Sequence, residues 1–137
     1  MNHIQDQERE HMLDLAYEAM ERAYTPYSHF QVGACLKGKS GKYYLGCNIE
    51  NASYTPTNCA ERTAMFKAVS EGERDFESIV IVCSGKSPAA PCGVCRQVLR
   101  EFCEDDMPVV FADGKRNYIE STLGALLPHS FGPEDLL

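Results

Sequence analysis

Two short apolar runs limit what this chain can fold into. "SIVIVC" (78–83) and "PVVFAD" (108–113) are nearly unbroken stretches rich in valine and isoleucine. A strand with one wet face alternates apolar and polar residues, whereas a strand without that alternation is buried on both faces. Between the two runs, "CGVCRQVLREFC" (92–103) places Val94, Val98, Leu99 and Phe102 at helical spacing. Doubly buried strands joined through a helix call for a sheet covered by helices on both sides.

The remaining segments agree. Ile4, Met12, Leu15, Ala16, Ala19 and Ala23 recur near a 3.6-residue period and predict a helix from about Gln5 to Tyr24. "TPYSHF" breaks it, because a proline turns the residue before it away from helix. "VGACLKG" (32–38) and "YYLGCNI" (43–49) read as strands joined by the turn "KSGK", hence a hairpin. "ENASYTPT" is a loop, and Asn58 is placed to cap a helix over about 59–70 that ends near Gly72. "NYIES" is a fifth strand, "TLGALL" a short helix and "PHSFGPEDLL" an irregular tail. The order is α-β-β-α-β-α-β-β-α, an α/β mixed sheet whose strand order stays open. With 137 residues and no linker or repeat, residues 1–137 are expected to form a single domain.

Charge and composition narrow the function classes. The net charge of −7 argues against a nucleic-acid backbone as main partner, since such binding rests on clustered Lys and Arg. No apolar run nears the roughly 20 residues of a membrane span, so no membrane partner is expected. The polar "MNHIQDQEREHM" lacks the apolar region of a signal peptide, so a cytoplasmic location is expected. Seven cysteines, an odd number with no sign of secretion, speak against a disulfide framework and for metal or catalysis.

"PCGVCRQ" sets Cys92 and Cys95 nearly one helical turn apart at a helix start, where the dipole and free N–H groups favour thiolates. Alone, such a pair is a redox couple, half a zinc knuckle or chance. Cys59 adds a third sulfur, also at a helix start. An iron–sulfur cluster usually takes four cysteines, and Cys47, Cys83 and Cys103 lie in segments that read as core. A structural zinc is held by four protein ligands, while a catalytic zinc keeps three and leaves a place for water. Zinc-bound water ionises near neutral pH, and something must take the proton. In "NCAER", Glu61 sits two residues after Cys59, fixed beside the metal without being a ligand.

"CAE" (59–61) and "PCGVC" (91–95), together with "YTPYSHFQVGACL" (24–36) and "GCNIENASYTPTNCAERTA" (46–64), resemble the small homotetrameric cytidine deaminases with a three-cysteine zinc site. The resemblance spans nearly the whole chain. It implies a three-layer α/β/α sandwich with a five-stranded mixed sheet. It also implies one Zn²⁺ per chain on Cys59, Cys92 and Cys95, with Glu61 as the catalytic proton carrier. Phe30 then packs near the base, Asn48 and Glu50 bind the ribose hydroxyls, and the Ala60 N–H contacts the pyrimidine. Arg62 donates to the ligand thiolates, offsetting the −1 charge that three thiolates leave on Zn²⁺. Phe131 enters the site of a neighbouring subunit and Tyr54 lines a shared site, so a homotetramer is implied. The implied reaction is hydrolysis of cytidine, and of 2′-deoxycytidine, to the uridine nucleoside and ammonia in pyrimidine salvage. No P-loop or basic cluster cradles a phosphate, so the expected substrate is a free nucleoside. Three alternatives stay open at this point: a deaminase of aminopyrimidine nucleoside antibiotics like the blasticidin S deaminases, a non-catalytic zinc module, and a polynucleotide deaminase.

Overall fold

The computed structural model describes residues 3–137. Five strands, β1 (Val32–Gly38), β2 (Tyr43–Cys47), β3 (Phe76–Cys83), β4 (Pro108–Ala112) and β5 (Tyr118–Thr122), form one sheet in the order β2-β1-β3-β4-β5. β3 and β4 run parallel, and the other neighbours are antiparallel. The parallel pair is the one joined through a helix, as a crossover connection requires.

Side chains of β1, β3 and β4 alternate between two apolar layers. Cys35, Val80, Val82, Val110 and Ala112 pack with Met12, Leu13 and Ala16 of α1 (Asp6–Met20). Ala34, Leu36, Ile79, Ile81, Val109 and Phe111 face the other way, against Ala64 and Met65 of α2 (Ala60–Ser70) and Leu99 of α3 (Gly93–Phe102). Strands buried on both faces therefore lie at the centre of an α/β/α sandwich, as the unbroken apolar runs predict. A short α4 (Leu123–Leu126), with Thr122 Oγ1 accepting from the Ala125 N–H at 3.2 Å, adds Leu123 to the second layer.

Two glycines let helices lie directly on strands. A Cβ on Gly33 would stand 2.1 Å from the Ala16 carbonyl oxygen of α1, and one on Gly46 would stand 2.4 Å from the Ala60 carbonyl oxygen of α2. Neither position has room for a side chain. Gly46 matters for the site, because it sets how closely the first turn of α2 approaches β2.

Three local expectations are corrected. α1 stops at Met20 rather than Tyr24. Tyr24 instead joins backbone pairing around residues 48–50, its N–H donating to the Asn48 carbonyl at 3.0 Å and its carbonyl accepting from the Glu50 N–H at 2.9 Å. In α1 the fully buried leucine is Leu13, while Leu15 is half-buried. Cys59, not Asn58, is the N-cap residue of α2. Asn58 is held by backbone bonds to Ile49, and its amide donates to Thr63 Oγ1 at 3.1 Å.

Candidate active site

The site forms where β2 and β3 end and α2 and α3 begin. Cys59 is the N-cap of α2 and Cys92 the N-cap of α3, so both sulfurs stand beside N–H groups that lack intrahelical partners. The Cys95 N–H donates to Cys92 Sγ at 3.4 Å. Cys59 Sγ lies 3.8 Å from Cys92 Sγ, and Cys92 Sγ lies 3.4 Å from Cys95 Sγ. Tetrahedral zinc with Zn–S bonds of about 2.3 Å separates its sulfurs by about 3.8 Å, and the three thiols, all within 4.8 Å of one another, lie close to that spacing. Among the described residues they are the one group of His, Cys, Asp and Glu side chains with metal-ligand spacing. Cys47 is half-buried, while Cys35, Cys83 and Cys103 are buried away from the cluster, and all seven cysteines are free.

The electrostatics fit a cation. Hydrogen bonding from Cys95 pulls the Cys59 thiol down to about 5 against the opposing effect of burial, with Arg62 and Cys92 adding donors. The Cys95 thiol moves up, first through that same bond to Cys59 and then by burial. Without a metal the sulfurs thus compete for protons, and a divalent cation among them removes the competition. Arg62 Nη2 donates to Cys59 Sγ at 3.3 Å, and a guanidinium there draws charge from the thiolate.

Glu61 is only 4% exposed. Burial pushes its carboxyl up to about 7, and the Cys59 thiolate acts in the same direction. A carboxyl poised there can both accept and release a proton near neutrality. It shares a hollow of about 230 Å³ with Phe30, Asn48, Ala60, Cys59 and Cys92. Cys95 is buried beneath.

Glu50 and Tyr54 line an adjoining hollow of about 300 Å³, joined to the first through Thr57. Tyr54 is 73% exposed, has a left-handed φ of 64° and meets Tyr27 edge to face. His29 on the facing loop also has φ of 59°. Such conformations are rare outside glycine and concentrate at functional sites. Glu50 Oε1 accepts from the N–H groups of Tyr27 (3.0 Å) and Ser28 (3.1 Å), while Oε2 accepts from the Ser28 hydroxyl. The Asn48 amide donates to the Phe30 carbonyl at 2.8 Å and accepts from the Val32 N–H at 2.9 Å. Both residues thus hold the 27–32 segment, and with it Phe30, at the mouth of the hollow. Phe131 does not line this hollow. It lies with Gln97, Glu101, Pro133, Leu136 and Leu137 in a separate depression, half of it exposed.

Residues 6–111 match the family model described as the cytidine and deoxycytidylate deaminase zinc-binding region. The chain belongs to this family. The cytidine deaminase of Sporosarcina psychrophila is 52% identical over 87% of this chain and 88% of its own. That of Halalkalibacterium halodurans is 50% identical over 94% and 98%. The crystal structure of cytidine deaminase from Burkholderia pseudomallei superposes with a TM-score of 0.86 at 42% identity, covering 96% of this chain and 100% of that one. The fold is therefore that of the family, and Cys59, Cys92 and Cys95 are its zinc site. Ser28, Thr57, Ala89 and Ala90 also line the two hollows and were not expected at the site from the sequence, and Asn58, expected as a helix cap, lines the first of them too. Ser28 had one available signal, its place in the helix-breaking "TPYSHF".

Proposed function

We propose that this chain catalyses the hydrolytic deamination of cytidine, and of 2′-deoxycytidine, to the uridine nucleoside and ammonia, a step of pyrimidine salvage. One observation carries the proposal: a buried carboxyl, Glu61, on the same helical turn as Cys59, opens into the hollow floored by the three-sulfur site. The related cytidine deaminases support the choice of substrate.

Bound zinc supplies the Lewis acidity that makes water nucleophilic near neutral pH. Glu61 takes a proton from the attacking water and delivers it to N3 of the ring as the oxygen adds at C4. The same carboxyl then carries the remaining proton of the added C4 hydroxyl to the 4-amino group, so that the C4–N bond breaks, the C4 carbonyl forms and ammonia leaves. Phe30, 40% exposed at the mouth, packs on the base. Ala60 opens α2, where its N–H has no intrahelical acceptor and is free for the pyrimidine. Asn48 and Glu50 take the ribose hydroxyls, since an ionised carboxylate offers about four acceptor sites and the Glu50 loop contacts fill three of them.

In a homotetramer Phe131 enters the site of a neighbouring chain, and Tyr54 lines a site shared between chains. Their exposure, 73% and 57%, is what supports this part. Residues 1–137 act as one domain, and seven free cysteines suit a reducing cytoplasm. No helix among the described residues is long and apolar enough to cross a membrane.

The test is to mix the purified protein with cytidine and follow loss of the cytidine absorbance together with ammonia release. Stoichiometric conversion to uridine is expected. Protein that carries one zinc per chain and leaves cytidine intact would overturn the proposal.

A further inference from the structure

α3 carries two zinc ligands at its start and three polar side chains that grip the C-terminal segment. Arg96 Nε donates to the Pro91 carbonyl at 2.6 Å, and Arg96 Nη1 donates to the Leu126 carbonyl at 2.7 Å. Gln97 Nε2 donates to the Phe131 carbonyl at 2.9 Å. Arg100 Nε donates to Ser130 Oγ at 2.8 Å, and its Nη2 pairs with Glu134. Gly132 lies under the Arg100 guanidinium, where a Cβ would stand 2.5 Å from Nη1.

These contacts are not equivalent. The side-chain hydrogen bonds of Gln97 and Arg100 go to the tail alone. Arg96 alone joins two chain segments, and one of them is the residue before Cys92. Pro91 is buried and has no N–H to anchor it, so its carbonyl is the polar main-chain group by which the approach to Cys92 can be held. A planar guanidinium with donors on two sides can hold two carbonyls at a fixed separation; an ammonium on a flexible stem cannot. The Leu126 carbonyl, at the end of α4, is one of the last-turn acceptors that the helix itself leaves open.

We propose that Arg96 is a positioning residue that ties the C-terminal segment to the loop carrying Cys92, so that anchoring of the tail and retention of zinc are coupled through one side chain. The inference rests on zinc binding at Cys59, Cys92 and Cys95, and it does not depend on which nucleoside is turned over.

The test uses full-length protein and three variants, Arg96→Lys, Arg96→Ala and Arg100→Ala. Two readouts are taken: the rate of zinc transfer to an excess of a chromophoric chelator, and amide hydrogen exchange over residues 126–132. Wild-type protein with one zinc per chain sets the reference; wild type without zinc would overturn the zinc assignment and this inference together. Arg96→Lys keeps the charge and the aliphatic stem, so it stays informative if Arg96→Ala fails to fold. It is expected to release zinc about ten- to a hundredfold faster, the range typical for loss of a partner that orients a metal ligand, and to exchange faster at Leu127. Arg100→Ala is expected to speed exchange at residues 130–132 and leave zinc release unchanged. Faster tail exchange in Arg96→Lys with wild-type zinc release would make Arg96 a tail anchor only and overturn the coupling. Equal acceleration of zinc release by Arg100→Ala would overturn the role assigned to Arg96, because the tail would then act by another route.

Discussion

Replacing Gly46 by alanine tests how packing sets the chemistry. The new Cβ would lie 2.4 Å from the Ala60 carbonyl oxygen and 2.5 Å from the Ala64 nitrogen, about 1 Å short of the 3.4 Å at which ordinary contact begins. Both obstacles are main-chain atoms of α2, so no side-chain rotation relieves them. Ala60 is the residue between Cys59 and Glu61, and the helix can yield only by moving its first turn, which carries both. Overpacking of this kind costs about 1–3 kcal/mol, a fall in Tm of about 3–10 °C for a chain of this size. The larger effect is on function. A misplacement of about 1 Å in a catalytic constellation costs on the order of a hundredfold in rate, and metal–ligand distances tolerate only about 0.2 Å. The expected outcome is a folded protein with weakened zinc retention and kcat reduced about a hundredfold, measured by calorimetry, metal analysis and the absorbance assay. Gly41→Ala is the control, because Gly41 has φ of 95° and open space around it. It should lose about 1 kcal/mol through backbone strain and keep wild-type kcat. Wild-type kcat and zinc content in Gly46→Ala would refute the reasoning, since β2 rather than α2 would then have yielded.

Other outcomes follow from the site. Glu61→Gln should keep its zinc and its fold, because an amide fits the same buried space, while kcat in the absorbance assay falls by about 10²–10⁴. Arg62→Ala removes the donor at 3.3 Å from Cys59 Sγ and should raise the zinc dissociation constant about ten- to a hundredfold in a chelator competition. The Glu50 carboxyl is held below its ordinary value of 4.5, first by the Ser28 hydroxyl and then by the Ser28 and Tyr27 N–H groups. A depressed folded-state value means that the loop contacts are complete above pH 4.5 and are lost as pH falls through the lower value. Amide exchange at Tyr27 and Ser28, corrected for its intrinsic pH dependence, should therefore accelerate on acidification below that point, and Glu50→Gln should show the fast exchange at every pH.

What the sequence made legible was local. Cys92 and Cys95 are three residues apart, so one helical turn brings their sulfurs together, and Cys59 and Glu61 are kept near each other by being only two residues apart at the start of one helix. The unbroken apolar runs announced strands covered on both faces, because nothing but burial explains their lack of alternation. Long-range pairings were not legible. The end of α1 at Met20 is decided by Tyr24 pairing with residues 48–50, which overrides a continuing helical pattern. Asn58 has the chemistry of an N-cap, yet its backbone is committed to Ile49, so the capping position passes to Cys59. Glu50 gave no sign that its carboxylate would hold a loop 22 and 23 residues away. Arg96 follows Cys95 directly, but its partner at Leu126 lies 30 residues on.

The division between local and distant contacts bears on how the site works. Cys59 and Glu61 sit at the first turn of α2, which packs directly on β2 at Gly46, whereas Cys92, Gly93 and Val94 at the start of α3 are exposed and only Cys95 is buried there. The groups proposed to meet the substrate, Phe30 and the Glu50-anchored loop, belong to an exposed segment held by hydrogen bonds rather than by core packing. Segments of that kind open at low free energy, which suits a mouth that must admit a nucleoside and release its product. Gly46 bears on the first turn of α2 and Arg96 holds the residue before Cys92, so a change at either reaches the three sulfurs directly rather than through the mouth. A substitution at the mouth should therefore alter KM more than kcat, and one at Gly46 or Arg96 should alter zinc retention before it alters substrate binding.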